Sequence, residues 1–235
     1  MRDAPRPIMV CVTGPPGAGK STALRALEDQ CPQLARFSVL EYGLRLAAVN
    51  DPLGLAMQGA LLRQELLPNE VVLQEFLHFM GNLSKGISAV AIESYPRDAQ
   101  QCEDLLSELR RRGAHVKAFV VVDIPDSAVR ARVSGRRLCT ECGAPAGELA
   151  GARCMQCGGV IAGRHDDEEP HLKRRLADYR KVARDLGAYF QERGLLHLID
   201  GLHSTSHVQA ELADLLHIGH DTVPGDPRAM ARRNG

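Results

Sequence analysis

Ile8-Met-Val-Cys-Val-Thr13 runs straight into Gly14-Pro-Pro-Gly-Ala-Gly-Lys-Ser-Thr22, and this stretch decides the fold. The first six residues are apolar and mostly β-branched, as in a strand buried on both faces. The next nine fit G-x4-G-K-[ST], and residues 20–30 then take up helical spacing. Strand, glycine loop and helix in that order build an anion cradle. Glycines let the backbone wrap an anion with its N–H groups turned inward, and the helix presents its positive end to the same point. Gly17, Ala18, Gly19, Lys20, Ser21 and Thr22 are therefore expected to hold the phosphates of a nucleoside triphosphate. Lys20 would reach the terminal phosphates, and the Ser21 hydroxyl would ligate Mg²⁺.

Working outward, four more apolar runs read as strands, at residues 37–40, 89–94, 116–124 and 196–199. Amphipathic segments with helical spacing lie between them, at 69–85, 98–112, 126–135, 168–193 and 206–216. Asp98 with Gln101, and Ser206 with Gln209, have capping-box spacing. Strands alternating with helices imply a parallel sheet in a three-layer α/β fold.

The chain has 235 residues, enough for one substantial domain plus an insertion. Lys plus Arg and Asp plus Glu both number 29, which argues against partners held by bulk charge, such as nucleic acid or an anionic membrane, but not against a local basic site. No apolar run approaches the roughly 20 residues of a membrane helix. The start is too short in apolar residues for a signal peptide, so a cytoplasmic protein is expected. The tail from residue 219 carries Pro, Gly and charge, and is expected to be disordered.

Seven cysteines divide into two groups. Cys11, Cys31 and Cys102 are scattered and read as small buried hydrophobes. Cys139-Thr-Glu-Cys142-Gly and Cys154-Met-Gln-Cys157-Gly form two knuckles within an aperiodic stretch, 138–163. Two such bends can complete an all-sulfur tetrahedral site for Zn²⁺, with no open position, and hence structural rather than catalytic. The metal would replace a core that so small an insertion cannot build.

The ordered set of motifs resembles the adenylate kinase family across residues 8 to 217. Besides the loop, Glu93-Ser-Tyr-Pro-Arg97 stands where that family has Asp-Gly-Phe-Pro-Arg, with Gln101 at the family spacing. Gly135-Arg136-Arg137 resembles the signature that opens the family's lid. Arg164-His-Asp166-Asp167 resembles the one that closes it, and Ile199-Asp200-Gly201 the last strand and turn. Some members are similar in carrying a zinc-binding lid.

The resemblance implies a P-loop nucleoside monophosphate kinase fold, with a five-stranded parallel sheet and an inserted zinc-ribbon-like lid. It implies a core at 1–137 with a helical acceptor-binding segment at about 38–68, a lid at 138–166 and the rest of the core at 167–218. The reaction implied is ATP + AMP giving two ADP, with Mg²⁺, in a protein expected to be a monomer. Lys20, Arg97, Arg136, Arg164 and Lys173 would surround the transferring group, and Arg132 and Arg136 would cover ATP. Arg45, Leu67, Arg97, Gln101, Arg164 and Lys173 would take the acceptor. Ser21 and Glu93 would serve Mg²⁺.

The physics agrees, since phosphoryl transfer between polyanions needs converging positive charge and exclusion of water more than covalent chemistry. Arg132 and Arg136 are four residues apart, hence on one face of a helix end. Arg97 follows a strand and a proline at the carboxyl edge of the sheet, where α/β ligands bind. For Gln101 the capping box is a competing role. The chain departs from the family in its loop Ser21, in Glu93, in Lys173, and at Val39-Leu40-Glu41-Tyr42, where the family has Ser/Thr-Thr-Gly-Asp. The altered acceptor segment leaves open a kinase acting on another nucleotide or on a phosphorylated metabolite. A non-catalytic nucleotide-binding module is a third reading.

Overall fold

The computed structural model describes residues 6–63, 65, 67–146, 151–163 and 167–218. The expected tail, from 219, lies outside the described residues. A five-stranded sheet forms the centre, all its neighbouring strands parallel. Its strands are β1 (Ile8–Thr13), β2 (Leu34–Ser38), β3 (Ala89–Glu93), β4 (Val116–Asp123) and, numbered past two short lid strands, β7 (Leu196–Asp200). In space they run β2-β3-β1-β4-β7. The central strand β1 therefore has β3 on one side and β4 on the other, and the phosphate loop leaves its carboxyl end between them.

Strand side chains alternate between faces, so each strand supplies two cores. Val10, Val12, Ala91, Val120 and Val122 pack with helices α1 (Lys20–Gln30), α6 (Asp126–Val133) and α8 (Thr205–Leu216). Met9, Cys11, Ile92, Phe119 and Val121 face α4 (Asn69–Gly81), α5 (Ala99–Arg111) and α7 (His171–Gln191). That second core is aromatic. Phe37 has Phe76, Phe79, Tyr95 and Tyr42 around it with ring centroids 5.2–6.3 Å away. Cys11, Cys31 and Cys102 are buried free thiols, as read from the sequence.

Several boundaries differ from the sequence reading. The expected strand at 37–40 is shifted: β2 ends at Ser38, and Val39 opens helix α2 (Val39–Ala48). Val39 and Leu40 simply prolong an apolar run, which periodicity cannot divide between strand and helix. Leu46 and Ala47 pack on the neighbouring α3 (Pro52–Arg63) and settle the matter. Two glycines allow that crossing. A Cβ on Gly54 would lie 2.0 Å from the Ala47 amide nitrogen, and one on Gly43 would lie 2.8 Å from Met57. Helix α4 stops at Gly81 rather than 85, and α7 begins at His171 rather than 168. Asp98 does cap α5, accepting from the Gln101 amide at 2.7 Å. The cap of α8 is Ser204, not Ser206, and it accepts from the His207 amide at 3.3 Å.

Between α6 and α7 the chain leaves the main sheet. A two-stranded antiparallel sheet, β5 (Arg137–Cys139) and β6 (Ile161–Gly163), carries the two cysteine knuckles and has its own small core of Cys139, Cys154 and Ile161.

Candidate active site

The loop after β1 has the geometry of an anion cradle. Gly17 and Gly19 have φ of 76° and 89°, a region that favours glycine, and Gly19 caps α1. Gly14 faces a different demand. A Cβ there would sit 2.3 Å from the Val122 carbonyl oxygen of β4, so only glycine lets the loop leave the sheet. Ala18 is buried beneath the loop. Lys20 folds back onto its own loop, donating to the Pro15 carbonyl at 3.3 Å. Thr22 points outward and is exposed.

Desolvation, more than any other cause, lowers the Lys20 pKa from its ordinary 10.5 to about 8. The charges of Arg97, Arg175 and Arg136 push it the same way, while Glu93 opposes them. Three arginines from distant segments therefore throw their fields onto one lysine. Such a cluster of like charge disfavours itself until an anion arrives, as expected of a site preorganised for a polyphosphate.

Each arginine is positioned separately. Arg97 follows the turn at Ser94, whose φ of 58° marks strained backbone, and its Nε donates to the Ser94 carbonyl at 2.8 Å. Arg136 and Arg175 share Asp167. Arg136 donates through two nitrogens at 2.6 and 2.8 Å, and Arg175 through one at 2.8 Å. One carboxylate thus aligns two guanidinium groups from opposite sides of the lid insertion. The sequence reading names Lys173 on α7 and does not name Arg175. Lys173 is exposed, whereas Arg175 lies on the side of α7 that meets Asp167. Helical phase does not separate them, since Arg175 adjoins buried Leu176 and Lys173 adjoins buried Leu172. Arg164, His165 and Asp166 lie outside the described residues.

Arg132 donates to the carbonyls of Gly201 at 2.8 Å and Gly17 at 3.2 Å, so it bridges the phosphate loop and the turn after β7. A cleft of about 380 Å³ opens between the end of α6 and the start of α7, lined by Val133, Ser134, Gly135, Arg136, Asp167 and Leu172 among others.

On the acceptor side, Arg45 is exposed, with its guanidinium 5.3 Å from the Tyr42 ring centroid. Leu67 is half-buried against the aromatic core. Gln101 is fully engaged by protein: its Oε1 accepts from the Arg97 amide at 2.8 Å and its Nε2 donates to Asn69 at 2.9 Å. Only the Asp98 half of the capping box is formed, because the Gln101 side chain takes the Arg97 amide rather than that of Asp98, and so ties the Arg97 turn to the start of α4.

Two groups of residues fit metals. Ser21 Oγ donates to Glu93 Oε1, which sets a hydroxyl and a carboxylate side by side at the loop, a donor pair suited to Mg²⁺. In the lid the four sulfurs of Cys139, Cys142, Cys154 and Cys157 all lie within 4.8 Å of one another. Cys139 and Cys157 are 3.4 Å apart, and Cys142 and Cys154 3.8 Å. Zinc–sulfur bonds of about 2.3 Å in a tetrahedron require sulfurs about 3.8 Å apart. The amides of Glu141 and Gln156 point at the sulfurs of Cys139 and Cys154, each at 3.4 Å, as they do in thiolate knuckles. The cluster is compatible with Zn²⁺.

The sequence profile of adenylate kinases matches residues 12–195. An adenylate kinase of Citrifermentans bemidjiense is 32% identical over 210 residues, covering 84% of this chain and 94% of the relative. One from Syntrophotalea carbinolica is 31% identical over 221 residues, covering 88% and 97%. One from Dehalococcoides mccartyi is 27% identical over 214 residues, covering 89% and 98%. The chain belongs to the adenylate kinase family and is a nucleoside monophosphate kinase.

Proposed function

We propose that the chain transfers the terminal phosphoryl group of ATP to AMP, giving two ADP. The observation that carries this reading is the desolvated Lys20 lying in the combined field of Arg97, Arg136 and Arg175.

The phosphate loop holds the donor by its inward amides, and Lys20 leaves the Pro15 carbonyl to take the terminal phosphate oxygens. Arg97 reaches from the acceptor side, while Arg136 and Arg175 reach from the two ends of the lid insertion. The transferring group would be surrounded by cations held in fixed directions, which stabilises charge as it spreads in the transition state. Arg132, already bridging Gly17 and Gly201, would lie along the donor nucleotide. Ser21 and Glu93 would hold Mg²⁺, which supplies neutralising charge and alignment of the phosphates. A lid spanning about 138–166, made rigid by Zn²⁺ on its four cysteines, would close over the donor and exclude water.

The acceptor is the finer question. The segment at about 38–68, which carries helices α2 and α3, would receive it together with Arg45 and Arg97. A coupled assay with ATP, Mg²⁺ and separate nucleoside monophosphates tests the reading. AMP is expected to give the highest kcat/KM. Preference for another monophosphate would move the assignment within the family, and no turnover with any would end it.

A further inference from the structure

Arg36 on β2 is a cation in the protein's interior, only 6% exposed, and carboxylates from three other elements meet it. Its Nη1 donates to Glu93 of β3 at 2.7 Å, and its Nε donates to Glu28 of α1 at 3.3 Å. Its Nη1 and Nη2 both engage Glu41 in the first turn of α2, so the pairing there is bidentate. A planar guanidinium with five fixed donors can make this junction, and an ammonium cannot.

Both ends of the junction lead to the reaction site. Glu93 turns its second oxygen to Ser21 of the phosphate loop, so the carboxylate is clamped between Ser21 and Arg36. Glu41 belongs to the helix that carries Arg45. It also pairs with Arg25 at 2.5 Å, and Arg25 donates to the carbonyl of Gly143 in the first cysteine knuckle at 3.0 Å. Ser21, Glu93, Arg36, Glu41, Arg25 and Gly143 thus form one unbroken line from phosphate loop to lid.

Burying a charge with several counter-charges is a demanding arrangement, and replacing such networks by apolar residues often costs nothing in stability. Its placement here gives it a use. A free glutamate side chain has three rotatable bonds, and without a second partner its carboxylate would wander beside the phosphates. The guanidinium removes that freedom.

Resting on the kinase reading above, we infer that Arg36 is a positioning residue for phosphoryl transfer. One arm fixes Glu93 against Ser21 at the Mg²⁺ side of the donor. The other fixes, through Glu41, the helix on which the acceptor is received.

The test uses the whole protein and two variants, Arg36→Lys and Glu41→Gln. Mn²⁺, standing in for Mg²⁺, is titrated into protein with ATP and followed by electron paramagnetic resonance, and steady-state kinetics are measured with AMP. Arg36→Lys keeps the charge but loses the fork. It is expected to weaken Mn²⁺ by about fivefold and lower kcat about tenfold, with the KM for ATP within about twofold. Glu41→Gln is expected to raise the acceptor KM about fivefold with Mn²⁺ binding unchanged. A folded Arg36→Lys protein with wild-type Mn²⁺ affinity and kcat overturns the proposal. If Arg36→Lys does not fold, Glu41→Gln decides alone, and an unchanged acceptor KM overturns it. A wild-type protein that turns over no monophosphate would sink the kinase reading instead, while the Mn²⁺ titration, which needs only ATP, would still judge Arg36.

Discussion

Asp167 and Arg175 lie 2.8 Å apart, and the same carboxylate oxygen also takes Arg136 at 2.6 Å. The two cations would repel without it. With it, they are held in one orientation, half-buried.

From this pairing follows a comparison of two neighbouring residues on α7. Arg175→Ala is expected to lower kcat by roughly 10²-fold, the scale of one lost charge-stabilising donor. Lys173→Ala should cost at least tenfold less. Steady-state kinetics on both variants checks this, and a larger loss at 173 would reverse the assignment.

Lys20 makes the donor site sensitive to pH. In the free protein its pKa is about 8, against an ordinary 10.5. Between those values the unfolded chain binds more protons than the folded one, so the stability cost of desolvating Lys20 fades as pH rises through this window. Bound phosphates favour the charged amine, so ATP binding should take up a proton at pH 8 to 9 and weaken as pH rises further. Calorimetry in two buffers of different ionisation heat measures that uptake. Equal apparent enthalpies in both would contradict it.

The lid should depend on its metal. Cys154→Ser is expected to release about one Zn²⁺ per chain and to lower the melting temperature, leaving ATP binding at the phosphate loop intact. Metal analysis and calorimetry decide. Unchanged metal content would mean that the sulfurs do not form the site.

Glu75 is an internal weakness. It is wholly buried on α4, and neither oxygen has a hydrogen-bond partner among the described residues. Burial raises its pKa to about 8, only partly offset by the nearby Gly43 amide. The folded chain therefore binds more protons than the unfolded one from pH 4.5 to 8, and stability falls as pH rises through that range. Glu75→Leu removes the penalty of an unpartnered polar group, about 1–3 kcal/mol. At pH 8 its melting temperature should rise by several degrees, at roughly 2–4 °C per kcal/mol. At pH 5 the gain should shrink, and an equal gain at both would argue against the ionised carboxylate as its cause.

Local chemistry made much of this protein readable from its residues alone. Residues 8–22 specify strand, loop and helix because β-branched runs, glycines and a following amphipathic pattern each act over a few residues. Asp98 announces a cap by its spacing from Gln101, and the two Cys-x-x-Cys-Gly turns announce a four-sulfur site. Other features needed the folded chain, because they join residues that are neighbours only in space. The apolar pair Val39-Leu40 could continue a strand or open a helix, and packing against α3 and the aromatic core made it a helix. Arg175 and Lys173 are equally basic, and only the direction each takes from α7 distinguishes them. Arg36 looks like any arginine in the chain. Its meaning comes from Glu28, Glu41 and Glu93, which the sheet and two helices bring to it from up to 57 positions away. Side-chain charge is written in the sequence, but its field depends on distance and solvent, and both are set only when the layers close.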